Sequence, residues 1–164
     1  MSYKLPVFYW ELPMNISTKS EYGLRALIYL ASCDEAAAIP ARLIAKKWNV
    51  PGKYLEQILK SLKESGFVTS QVGVGGGYRL ARPASLITVG EIVRELDGRL
   101  SPTACASSFD YEPCEFESAC GLKTLWARAR SALVNVLDQT TLADLCTRAD
   151  RPRTVSLGYL SGRF

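Results

Sequence analysis

Apolar and polar positions alternate along the chain with helical spacing in most segments and with strand spacing in one. From Thr18, "KSEYGLRALIYLAS" sets Tyr22, Leu27, Ile28, Leu30 and Ala31 on a broad apolar face. Thr18 and Glu21, three residues apart, have the spacing of a capping box at its start. "IPARLIAKKW" predicts a short second helix with Pro40 at its first position, where a missing N–H costs nothing. "NVP" breaks it. A third helix, "PGKYLEQILKSLKES", buries Leu55, Ile58, Leu59 and Leu62 by the i, i+3, i+4, i+7 rule and leaves Lys53, Glu56, Gln57, Lys60 and Lys63 on its other face. Gly66 stands where a left-handed cap would end it.

"FVTSQV" and "YRLAR" predict two short strands around the glycine-rich tip "GVGGG". Short helices joined by a tight turn and followed by such a hairpin make a winged helix-turn-helix. Thr88 and Glu91 open another helix with capping-box spacing, and Val89, Ile92, Val93 and Leu96 form its apolar stripe before Gly98 closes it. Residues 99–120 show no period; a connection this long is usually functional or disordered. Order returns with "GLKTLWARARSALVNVLDQT", where Leu122, Trp126, Ala129, Leu133 and Val136 alternate steps of four and three. That heptad-type seam suits two-fold pairing, so a homodimer is expected. "TLADLC" predicts one more short turn, and the end reads as an irregular tail. The expected fold class is mainly α with a small β-hairpin wing: a winged helix-turn-helix plus a long C-terminal dimerisation helix. The expected division is an N-terminal extension (1–13), a DNA-binding domain (14–98), a cysteine-bearing loop (99–120), a dimerisation helix with a short helix after it (121–149) and a tail (150–164).

A length of 164 residues and 48% hydrophobic content allow one domain, or a small domain with an appendage, built on a real core. A net charge of +4 is compatible with nucleic acid and leaves the decision to how the charge is distributed. No apolar run is long enough to span a membrane, and "MSYKLPVFYWELP" is a poor secretory signal. Five irregularly spaced cysteines are unlike a secreted disulfide scaffold, so a cytoplasmic protein is expected. The chain has no histidine. Ser-His-Asp and Cys-His chemistry are therefore excluded, and any metal must be held by sulfur and oxygen. With no phosphate loop or paired carboxylates either, neither an enzyme nor a small-molecule substrate is expected.

Two sets of residues carry chemistry. On the third helix, Lys53, Tyr54, Gln57 and Lys60 are placed to reach phosphates or base edges of double-stranded DNA, and Glu56 to accept from a cytosine amino group. The wing glycines Gly75, Gly76 and Gly77 let backbone amides approach phosphates, with Arg79 at the wing's base. The second set is Cys105, Cys114 and Cys120, spaced C-x8-C-x5-C. Zinc fingers and ribbons use C-x2-C pairs, and the CxxC redox motif is absent as well. A wide, loop-borne set of thiols suits an iron–sulfur cluster, whose ligands must spread around it. A disulfide switch, or zinc held by the three cysteines and an acid, stays open beside it. Cys33 and Cys146 are expected as buried small hydrophobes. A different class of function, a winged helix used for protein contact or cluster carriage, is disfavoured by the lysines on the outer face of residues 53–63.

"MNISTKSEYGLRALIYLA", "KYLEQILKSLKESGFVTSQVGVGGGYRLAR", "ITVGEIVRELDG", the three-cysteine loop and "TLADL" occur in one order. Together, over about residues 14–146, they resemble the IscR/NsrR/RirA family of bacterial winged-helix transcription regulators. The resemblance implies a dimeric DNA-binding regulator, expected to be a repressor, whose cysteine loop holds an iron–sulfur cluster that senses redox state, iron or nitric oxide. It implies Cys105, Cys114 and Cys120 as ligands. Some members use a histidine three residues after the last cysteine, where this chain has Lys123. Others take an acidic side chain from the first helix of the opposite subunit, which makes Glu21 the expected fourth ligand. Without histidine, a 4Fe-4S cluster is preferred over 2Fe-2S. The position of Glu56 helps to read sequence in the family. The wing carries Val72 and Val74 where the family often has arginine and proline, so reading of the minor groove by a wing arginine is not carried over.

Overall fold

The computed structural model describes residues 16–34, 37–98, 100–107 and 111–149, with the side chains of 147–149 excepted. The expected N-terminal extension and C-terminal tail lie outside the described residues. In chain order come α1 (Thr18–Ala31), α2 (Ala41–Trp48), α3 (Gly52–Glu64), β1 (Val68–Gln71), β2 (Gly77–Leu80), α4 (Val89–Asp97), α5 (Gly121–Gln139) and α6 (Leu142–Ala149). Short 3-10 turns occupy 84–86, 104–106 and 117–119. This is the mainly helical winged-helix architecture that the hydrophobic pattern predicts.

The apolar stripe of α3 is fully buried: Leu55, Ile58, Leu59 and Leu62 meet Ala26, Leu27 and Leu30 of α1, Ile44 of α2, and Ile92 and Leu96 of α4. Burying side chains of this size stabilises by roughly 1.5–3 kcal/mol each before conformational entropy is set against it. β1 and β2 pair antiparallel with Val68 opposite Leu80 and Gln71 opposite Gly77. Backbone bonds between Ile39 and Tyr78, 2.9 and 2.8 Å long, tie β2 to the segment entering α2. Gly77 sits against the Ile39 backbone at a place where a β-carbon would collide with it, so glycine here is what lets the wing dock on the helices.

Helix starts follow the sequence with two shifts. The capping box of α4 is present as expected, Glu91 N–H donating to Thr88 Oγ1 and Thr88 N–H to the Glu91 carboxylate. Burial pushes the Glu91 carboxyl up, but the Thr88 N–H and Arg82 outweigh it and hold it below the usual carboxylate range. At α1 the cap is Ser17, not Thr18: its hydroxyl accepts from Ser20 N–H and itself donates to Asp97 at the end of α4. A tertiary partner chose between two adjacent hydroxyl residues. Pro40 is extended and caps α2 from outside, and the helix begins one residue later at Ala41. Gly66 is left-handed after α3, as the sequence predicts.

The segment "TLADLC", expected to give one short turn after the long helix, opens α6, which runs on to Ala149. Its start is a second reciprocal cap: Thr141 N–H donates to Asp144 Oδ2 and Asp144 N–H to Thr141 Oγ1. A bridge between Thr88 and Thr141 lays α6 beside the start of α4, where Leu142 is fully buried and α6 packs on α1. By contrast, no described residue of α5 is fully buried, and the helix rests mainly on α4 and the 104–106 turn. At that contact a β-carbon on Gly90 would overlap the Asp138 carboxylate, and through the gap Arg94 donates to Asp138 Oδ1 at 2.7 Å. Gly90→Ala should therefore lift α5 off α4 and cost about 1–3 kcal/mol of overpacking. Gly121→Ala, which meets open space at the start of α5, should be neutral or stabilising by about 0.5 kcal/mol. Thermal unfolding of the two variants checks the contrast.

Candidate nucleic-acid interface and cysteine loop

Because the stripe of α3 points into the core, its other face must point out. Lys53, Glu56, Gln57 and Lys60 are all exposed. Lys60 approaches Glu64 at 3.9 Å with both side chains well exposed, too weak a pairing to hold the amine away from a phosphate. Tyr54 differs from its expected place. It is half-buried and turns edge-on against Tyr22 of α1, ring centroids 6.0 Å apart, so it supports α3 rather than facing out. Exposed Arg42, Lys46 and Lys47 on α2 extend the basic surface. They lie outside the set expected to contact DNA, although their positions opposite Ile44 mark an outward face.

In the wing, Gly75 is exposed, whereas Gly76 and Gly77 are half-buried and turned toward backbone of Gln71 and Ile39 respectively. Only the first of the three glycines therefore lies on the open tip. Arg79 is exposed and braced across the hairpin, its Nε donating to Thr69 Oγ1 at 3.3 Å. Val72 and Val74 expose nearly their whole side chains. An apolar pair presented in this way has no packing role in the chain itself.

The cysteine loop connects α4 to α5. Cys105 lies half-buried in the 104–106 turn with its sulfur 3.4 Å from Thr103 Oγ1. Cys114 is exposed, and its backbone N–H donates to Glu117 at 3.4 Å. Cys120 is half-buried immediately before α5. All five cysteines stand outside any disulfide, and Cys33 and Cys146 are half-buried rather than buried as expected. Cys146 reaches the Ile28 carbonyl at 3.7 Å, a polar contact that keeps it from full enclosure in hydrocarbon. Glu21 is exposed on α1 and paired with Arg25 one turn on, in place of the capping box expected for it.

Among the described residues, no three cysteine, aspartate or glutamate side chains are grouped so as to hold a metal ion. Thiolate ligands are chemically right for iron and sulfide. As folded, the loop does not gather them. A polar network orders it instead: Glu117 accepts from the Tyr111 hydroxyl at 2.5 Å and from the Lys123 ammonium, which also lies over the Tyr111 ring at 5.4 Å from its centroid. Lys123 at the histidine position is thus engaged with a carboxylate. The hydrogen bond from Lys123, then that from Tyr111, holds the Glu117 carboxyl below its usual range. The same carboxylate, by its hydrogen bonds, pushes both Lys123 and Tyr111 up.

A model of a family described as Rrf2, iron-dependent transcriptional regulator, matches residues 16–148. The chain belongs to the Rrf2 family. This Rrf2 chain is therefore a transcription regulator and not an enzyme, and regulators of the family bind DNA operators. Among solved structures it is similar to CymR (YrzC), the global cysteine regulator of B. subtilis, at 38% identity and TM-score 0.72 over 83% of this chain and 98% of that one. The oxidized form of Staphylococcus aureus CymR matches at 37% identity and TM-score 0.68 over 86% of this chain and 100% of that one. T. potens IscR matches at 30% identity and TM-score 0.65, covering 85% of this chain and 93% of that one. No helix among the described residues is long and apolar enough to cross a membrane.

The network around Glu117 makes loop order pH-dependent. A carboxyl held low in the folded loop contributes order that is fully present above its ordinary value, and the contribution is lost as pH falls through the lowered one. Amide exchange over residues 111–120 should stay protected from neutral pH to about pH 4.5 and then rise. In Glu117→Gln it should be fast throughout with no such step.

Proposed function

We propose that the chain is a dimeric, operator-binding repressor that docks α3 in the major groove and whose affinity follows the state of the loop carrying Cys105, Cys114 and Cys120. The observation that carries the DNA-reading part is the two-sided character of α3. Four buried aliphatic residues hold it rigidly, and four exposed polar or charged ones, Lys53, Glu56, Gln57 and Lys60, are left for a duplex. Lysines supply sequence-independent attraction to phosphates, while Gln57 and Glu56 have the donor and acceptor groups that base edges require. Gly75 and Arg79 bring the wing to the flanking backbone. The seam of α5, with Leu122 and Val136 more than half exposed, supports pairing with a second copy.

For the sensor, the ligand set that fits best by chemistry is Cys105, Cys114 and Cys120 with Glu21 from the second subunit. It would hold an iron–sulfur cluster, 4Fe-4S in preference to 2Fe-2S. Such a cluster supplies reversible one-electron and ligand-exchange chemistry at iron. What the chain itself contributes is three thiols on a connector attached at one end to α4 and at the other to α5, so a change of loop conformation is passed to both. A second reading is a cluster-free thiol regulator. It is favoured by the scattered donors of the loop and by the similarity to an oxidized CymR.

Two measurements test these readings. Binding to operator-length duplexes should weaken steeply with salt, and Lys53→Ala should lower the slope of log affinity on log salt by about one without changing sequence preference. Salt-independent, negligible binding would remove the DNA-reading proposal. Anaerobically purified protein should be brown and contain iron and acid-labile sulfide, lost together in Cys114→Ala. Colourless protein whose operator affinity responds to a thiol oxidant would establish the cluster-free reading instead.

A further inference from the structure

The wing ends in a closed turn that presents two aliphatic side chains to solvent. Gly76 N–H donates to the Gly73 carbonyl at 2.9 Å, which puts Val74 and Gly75 at the two central positions of a β-turn. Gly75 has a φ of +79°, the left-handed value that a type II turn requires at the second of them. Val72, just before the turn, is 95% exposed and Val74 fully so. Among the described large hydrophobic residues the next most exposed, Phe116, stands at 70%. A β-branched side chain has few rotamers to lose, and the turn under this pair is already hydrogen-bonded. The two valines are therefore arranged in advance for a contact with another molecule.

We infer that Val72 and Val74 seat the wing in the minor groove of the operator, against the apolar walls formed by its deoxyriboses. There they make a salt-independent contribution to binding that favours A·T over G·C pairs. The inference rests on the operator-binding reading of α3 and adds a determinant of specificity to it. Continuity with that face of the protein chooses the occupant. The hairpin packs on α3 through β1, is tied to the segment entering α2 by the Ile39–Tyr78 bonds, and carries exposed Arg79 near its base. Exposed lysines stand on both of those helices, Lys53 and Lys60 on α3 and Lys46 and Lys47 on α2. The apolar tip thus extends a basic surface. A protein partner would need an apolar pocket with acidic residues around it to match. Every duplex offers sugar walls between two rows of phosphates. Valine has no donor or acceptor and cannot read a base edge, but it can sense the floor of the groove. A·T pairs present only recessed acceptors there, whereas G·C adds the protruding guanine 2-amino group. Methyl groups pressed against that group would leave its N–H with neither water nor partner, which disfavours G·C.

The test begins with a duplex enriched from a random library by the full-length protein, purified anaerobically. Val72→Ser/Val74→Ser should bind that duplex about ten-fold more weakly, the scale of withdrawing two aliphatic side chains from a water-excluding contact. The slope of log affinity on log salt should stay the same, whereas Arg79→Ala should lower it by about one. Replacing A·T pairs beside the α3 half-site by G·C, one at a time, should weaken the wild type about five-fold or more at some of them and the double variant at none. Inosine·C pairs at those places lack the 2-amino group and should restore wild-type affinity, although their major groove resembles that of G·C. Both valines are exposed, so thermal unfolding of the double variant should match wild type. Equal affinity of wild type and double variant for the enriched duplex would overturn the wing contact and leave operator binding by α3 standing. Loss of higher-order self-association in the double variant, with duplex affinity intact, would do the same and assign the tip to a second copy. A library from which nothing is enriched would overturn both readings.

Discussion

Gly90 leaves no side chain where α5 passes over α4, and the rest of the regulator's geometry depends on that gap. Through it Asp138 comes within 2.7 Å of Arg94, so the long helix is held against the DNA-reading half at a defined place and angle. The pair itself is worth little as stability. Both side chains are about a third exposed, and pairs of that kind contribute about 0–1 kcal/mol. Its value is orientation, because no described residue of α5 is fully buried and the helix has little other packing to fix its direction.

The cysteine-bearing segment is a chain excursion clamped at both ends. It leaves the core at the end of α4, where Asp97 is bonded by the cap of α1, and returns at α6, where Leu142 is buried and Thr141 bridges to Thr88. Between those clamps lie the three-cysteine loop and α5. A change in the loop can therefore move α5 without unfolding the core, and the same core holds the polar face of α3 outward. The Tyr111–Glu117–Lys123 network gives the loop one ordered arrangement. A rearrangement that gathered the thiols would have to compete with it.

Legibility followed the range of the interaction responsible. Elements set by local rules were readable: the stripe of α3, the capping box at Thr88 and Glu91, the left-handed Gly66 and the glycine-rich wing. Where two neighbours satisfied the same local rule, a distant residue chose. Ser17 displaced Thr18 because Asp97 lies beside it, eighty positions away. Tyr54 lies at the edge of the apolar stripe, one turn before Ile58, and its contact with Tyr22 decided that it faces α1. The wing glycines could be seen as a group but not sorted, because only the approach of Ile39 separates Gly77, needed for docking, from Gly75 at the tip.

By itself the order of apolar and polar residues determined the winged helix, the outward lysines of α3, the seam of α5 and the confinement of three cysteines to one loop. Each of those is a property of neighbours within a few turns of chain, where spacing alone decides which side chains share a face. Only the tertiary structure decided that α6 returns to the core, that Lys123 binds Glu117 in the loop, and that Arg94 meets Asp138 through the gap at Gly90. Those facts join residues far apart in sequence through contacts that no periodicity encodes. They come into being only when the helices pack.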